Sequence, residues 1–132
     1  MNPILFLGAL LGLMSVIMGA YTDHVVGVNI TSTALGVLAT ALHYQSLYSI
    51  LIAAIGLALY APLSPRLTRY LTMCAWVFII GIILFSFSIY ASVLTNASGA
   101  VRLTPVGGIT LILGWLLLAG TGLMKVRRER LI

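Results

Sequence analysis

Acidic side chains are almost missing. Asp23 and Glu129 are the only two in 132 residues, and charged residues of both signs make up 7% of the chain. A soluble domain has roughly a quarter of its residues charged, so an ordinary water-facing surface is excluded. The single cysteine, Cys74, cannot close a disulfide within the chain. It falls in the middle of an apolar run, where it reads as a small core residue, and no zinc-ligand spacing surrounds it. His24 and His43 are the only histidines, too few and too isolated to suggest haem or a metal centre. Asp23 beside His24 resembles part of an acid–base dyad, yet no nucleophile completes it. No catalytic residue, metal ligand or cofactor is expected.

Apolar residues are abundant instead. They form 61% of the sequence, and mean hydropathy is +1.17. The charges lie in short gaps between long apolar runs, which is the pattern of a multi-spanning membrane protein. Residues 1–132 read as one integral-membrane domain, all-α, with spans at roughly 3–21, 33–60, 65–95 and 105–124. Each run has the ~20 residues that crossing a bilayer requires. The second and third exceed it, so tilt or extension beyond the hydrocarbon is expected. No Lys or Arg precedes the first run and "SVIMGAYTDH" is a poor cleavage site, so that run reads as a retained span. Asn2-Pro3, Ser64-Pro65 and Thr104-Pro105 each place a good N-cap before a proline at the first helical position. Pro62 closes the second span.

Net charge is +5, and its distribution orients the chain. Arg66 and Arg69 lie in the second connection, and Lys125, Arg127, Arg128 and Arg130 in the tail; only Arg102 falls on the other side. The positive-inside rule therefore predicts both termini in the cytoplasm, with the connections near Asp23–Ser32 and Asn96–Arg102 outside. The basic tail reads as an orientation signal in preference to a lipid-contacting or nucleic-acid patch, and no nucleic-acid partner is expected.

Small residues recur along every span. Gly107, Gly114 and Thr121 repeat every seven residues, with Thr110 beside them; Cys74, Gly81, Ser88 and Thr95 do the same. The second span carries Ser46, Ser49, Ala53 and Gly56, and the first Gly8, Gly12, Ser15 and Gly19. Helix association in lipid depends on close packing rather than on a hydrophobic drive, and small residues allow it. Seven-residue spacing predicts left-handed crossings in a four-helix bundle. Gly107 and Gly108 are both expected to let another backbone come close.

Polar residues gather toward the outer end: Asp23, His24, His43, Tyr44, Gln45, Tyr48, Ser86, Ser88, Tyr90 and Thr104. Tyr44 and Tyr48 share a helix face, as do Ser86 and Tyr90. Two readings compete. The cluster is either a shallow pocket for a lipid head group, quinone or small polar ligand, or an interfacial aromatic belt with hydrogen bonds between helices. The deep parts of the spans hold no ionisable residue, which argues against a proton-coupled pump.

Four pieces, "MGAYTDHVV", "YQSLY", "LFSFSIY" and "TPVGGITLILGW", occur in an order and spacing that resembles the YgdD-like family of small bacterial membrane proteins. The family has a small animal relative and is described as a domain of unknown function. It tends to have Gly-Ala where Thr22-Asp23 stand here, His at Tyr48 and Gly at Phe87. The resemblance implies a multi-pass inner-membrane protein and supplies no reaction. The expected function is a non-enzymatic structural or accessory component that packs against the lipid bilayer, a partner membrane protein or further copies of itself. The alternative is a small-molecule, lipid or quinone binder or transporter that uses the outer cluster.

Overall fold

A computed structural model describes Met1–Lys125. Arg127, Arg128 and Arg130 of the expected orientation signal lie outside the described residues. Every regular element among the described residues is helical. Helix α1 is Pro3–Tyr21, continued by a wider π turn at Thr22–Val26, and α2 is Ser32–Ala58. The third span is built from α3 (Pro65–Ile82), a π turn (Ile83–Phe87) and α4 (Ser88–Thr95). A 3-10 turn at Ser98–Leu103 leads into α5, Thr104–Gly122. The result is four apolar helices long enough to cross a membrane, of 24, 27, 31 and 25 residues. At 1.5 Å per residue the third is about 46 Å long, more than the ~30 Å hydrocarbon core.

The caps explain where the helices begin. Asn2 Oδ1 accepts from the Leu5 amide at 3.0 Å, Thr31 Oγ1 from Ala34 at 3.2 Å and Ser64 Oγ from Leu67 at 3.4 Å. Thr104 departs from its expected role. Its backbone is already helical, the 3-10 turn takes its amide through the Val101 carbonyl, and its side chain caps nothing. Relieved of capping, the Thr104 hydroxyl pairs across to Ser88 at 2.7 Å.

The spans pair as two antiparallel hairpins. In the first, Leu5 lies against Gly56, Gly8 against Ala53, Gly12 against Ser49 and Gly19 against Leu42. Each step up α1, of three, four and then seven residues, is matched by an equal step down α2. In the second hairpin Phe78 meets Gly114, Gly81 meets Leu111, Phe85 meets Gly107 and Ser88 meets Thr104. The hairpins join along α2 and the third span, the two most buried helices, leaving α1 and α5 on the flanks.

The small-residue stripes face these seams. A Cβ built on Gly8 would stand 2.6 Å from the Ala53 amide nitrogen, and one on Gly56 2.6 Å from that of Leu5. Gly81 has 2.7 Å to a Leu111 methyl and Gly114 2.5 Å to the Phe78 ring, while Gly107 lies directly on the backbone of Leu84 and Phe85. At three expected positions the packing is looser. An added Cβ would meet Ser49 Oγ at 3.5 Å from Gly12, a Leu42 methyl at 3.5 Å from Gly19 and the Phe85 ring at 3.9 Å from Gly108. All three are ordinary contacts. Gly108 is one residue, about 100° of helix rotation, past the seam, so the close approach belongs to Gly107 alone. Thr95 is exposed, near the end of α4, and its hydroxyl turns back to the Ala91 carbonyl.

Candidate functional site

The ten polar residues divide into an inner and an outer set. Gln45, Tyr48, Ser86, Ser88 and Tyr90 are buried, and Thr104 is half-buried. Asp23, His24, His43 and Tyr44 are exposed.

Gln45 is the centre of the inner set. From α2 it donates through Nε2 to the Leu11 carbonyl of α1 at 3.0 Å and accepts through Oε1 from the Tyr90 hydroxyl of α4 at 2.6 Å. One amide thus joins three helices, and its two partners settle which end is oxygen and which is nitrogen. One turn earlier on each helix, Ser86 Oγ donates to the Ala41 carbonyl at 2.7 Å. Ser88 donates to the Phe85 carbonyl at 2.9 Å and lies 2.7 Å from Thr104 Oγ1. A hydroxyl has a single proton, so Thr104 is the donor between those two. Among the described residues, no buried side-chain nitrogen or oxygen is left without a partner.

The π turn at Ile83–Phe87 shapes this arrangement. A wider turn shifts the angular position of every residue after it, so Ser86, Ser88 and Tyr90 reach three different neighbours. The same turn brings Leu84 and Phe85 against Gly107. At the top of α1 the other π turn closes with the Gly27 amide donating to the Thr22 carbonyl at 2.8 Å. Thr22 and Val26 point inward from it, and Asp23 and His24 outward. Asp23 and His24 therefore stand apart from the Gln45 network, and among the described residues no group of three His, Cys, Asp or Glu converges.

Three aromatic residues that sequence reasoning did not single out complete the region. Tyr44 lies over Phe85 with ring centroids 4.9 Å apart, and Tyr48 contacts Phe78 at 5.4 Å and Trp115 at 6.2 Å. Trp115 Nε1 donates to the Tyr48 hydroxyl at 2.7 Å, tying α5 to α2. Nothing in the periodicity of Phe78, Phe85 or Trp115 separates them from other apolar residues; only the meeting of three helices does.

The region lies within a stretch shared with known proteins. Residues 18–108 match the family described as "Protein of unknown function (DUF423)". A "UPF0382 membrane protein" of Haemophilus influenzae is 36% identical over 118 residues, covering 89% of this chain and 91% of its own length. A protein of the same description from Staphylococcus aureus is 32% identical over 118 residues, covering 89% of this chain and 93% of its own. The "UPF0382 inner membrane protein YgdD" of Escherichia coli K12 is 26% identical over 125 residues, 95% of this chain and 92% of its own. No solved structure matches. On the length and identity of these matches, and on four helices able to cross a bilayer, the chain belongs to this family of membrane proteins of unknown function.

Proposed function

We propose that the protein is a non-enzymatic membrane component, a single bundle whose apolar outer surface packs against lipid or a partner membrane protein. The outer polar cluster serves as an internal fastening. One observation carries this reading: the polar groups of Gln45, Ser86, Ser88 and Tyr90 are all taken up by other groups of the chain, and all four reach a different helix. A pocket for a polar ligand keeps groups unpaired until it is filled, and that is not the arrangement of these four. The orientation read from Arg66, Arg69 and the basic tail places both termini in the cytoplasm and this cluster toward the outer face.

A second reading retains support from one feature. Tyr44 is 37% exposed and Trp115 46%, so an aromatic wall with a hydroxyl at Tyr44 borders the buried network and suits a flat ring such as a quinone. Native mass spectrometry of the wild type and Gln45→Leu, with melting temperatures in the same detergent, separates the two. Fastening requires a loss of stability with no change in bound mass. A small molecule released from the variant without loss of stability favours the binding protein.

A further inference from the structure

At the end of the bundle remote from Gln45, the start of α3 and the end of α5 with the residues after it border an open cavity of about 370 Å³. Ser64, Arg66 and Leu67 line one side, and Gly120, Leu123, Met124 and Lys125 the other. The geometry points to a site for the anionic phosphate head group of a membrane lipid, held between Arg66 and Lys125.

Three observations lead there. The first is charge. Arg66, in the first turn of α3, and Lys125, just past the end of α5, line one cavity, and the described chain's sole acidic residue, Asp23, is at the opposite end of the bundle. Ser64 Oγ already accepts from the Leu67 amide, so the attraction rests on the two side-chain cations rather than on the helix start. The second is depth. One wall is the first turn of α3 and the other the end of α5 with the residues just after it, and Tyr60 and Tyr70 stand near the same level, where aromatic side chains mark the head-group region. The third is the mixed lining. Leu67, Leu123 and Met124 place apolar surface beside the cations, which suits a phosphate joined to glycerol and acyl chains better than a free anion. Basic pockets between helices at a membrane surface are a known means of holding such head groups. The site stands apart from the reading of the outer cluster, and it holds whichever way the chain is inserted, since head groups line both surfaces.

The test uses the full chain in nanodiscs of phosphatidylcholine mixed with an equal share of phosphatidylglycerol, released for native mass spectrometry. Phosphatidylglycerol should be retained in preference to phosphatidylcholine. Arg66→Gln with Lys125→Gln should weaken that retention by roughly 30-fold, from about 1 kcal/mol for each basic residue near the surface. Arg66→Lys with Lys125→Arg should preserve the preference, and the melting temperature should be the same in all variants. Arg69→Gln removes a charge one turn away that does not line the cavity, so it should have little effect. Equal retention of the two lipids would overturn the site, as would a loss from Arg69→Gln as large as from the double variant, which means diffuse surface charge. Displacement of the lipid by excess inorganic phosphate, with phosphate then retained, would assign the cavity to a free anion and overturn the head-group assignment.

Discussion

The Tyr90 hydroxyl lies 2.6 Å from Gln45 Oε1 and donates a hydrogen bond to it, while the other end of the same amide holds the α1 backbone at Leu11. Losing Gln45 therefore strands the Tyr90 hydroxyl and takes a second donor from the Leu11 carbonyl, which keeps its helical bond within α1. Gln45→Leu should cost about 1–3 kcal/mol, above the ~0.6 kcal/mol average for one interhelical hydrogen bond in lipid, because two such bonds go and a buried hydroxyl is left unpaired. Tyr90→Phe should cost less. The double variant should cost less than the sum of the two, with a coupling of about 0.5–2 kcal/mol. Unfolding midpoints of the four proteins in one detergent measure this. Strict additivity would mean that the two side chains do not interact in the folded bundle.

Gly107 and Gly108 are adjacent and should respond oppositely to one methyl group. Gly107→Ala drives a Cβ into the backbone of Leu84 and Phe85, where no flexible side-chain end can yield. It should destabilise by about 1–3 kcal/mol. Gly108→Ala adds an ordinary contact with the Phe85 ring and should be neutral or slightly stabilising, since alanine favours helix by up to about 1 kcal/mol. Thermal unfolding of the two variants compares them directly.

That contrast indicates what periodicity can and cannot reveal. The glycine pair was legible as packing surface, yet which member faces the seam depends on where the third span's π turn places Phe85. A π turn has no composition of its own: Ile83–Phe87 is as apolar as the α-helix before it. Span limits were far more legible. The residue before each of Pro3, Pro65 and Pro105 is an N-cap type, and two of these three expected caps act as such. Thr104 fails because a 3-10 turn built from "SGAVRL" already supplies the carbonyl its amide requires. The polar cluster was visible as a list but not in its partition. Tyr44 and Tyr48 share a face and stack at 6.2 Å, yet one is exposed and the other buried, because only Tyr48 sits low enough to meet Phe78 and Trp115.

Ser88 and Ser86 provide a graded comparison. Ser88→Ala leaves Thr104, a half-buried group near a helix end, to find another acceptor, and should cost about 0.6 kcal/mol. Ser86 is fully buried and reaches the Ala41 carbonyl across to α2. Ser86→Ala should cost more, up to about 2 kcal/mol, because it removes a fully buried bond between helices and leaves the Ala41 carbonyl with its helical partner alone. Chemical unfolding of both variants should rank them in that order.

Orientation is tested with cysteine chemistry. Cys74 is fully buried and should resist a maleimide until the bundle is denatured. In a Cys74→Ala background, cysteines placed at Asn29 and Asn96 should be modified by a membrane-impermeant reagent outside intact cells. A cysteine at Ser64 should react only after the membrane is opened. The reverse pattern would invert the proposed topology.

The in-step pairing of α1 with α2, and of the third span with α5, has a consequence for how the chain is made. The first and third spans each find their main neighbour in the next segment to leave the ribosome, so closure of each pair waits for little further chain. Gln45 can take the Leu11 carbonyl as soon as the first two spans meet. Ser86 and Tyr90 find Ala41 and Gln45 already made when the third span emerges, whereas Ser88 and Tyr48 wait for Thr104 and Trp115 on α5. The seam along α5 is therefore the last surface to be sealed during synthesis. Until then its unspent hydroxyls are what a half-built molecule shows to the translocon and to any insertase that escorts it.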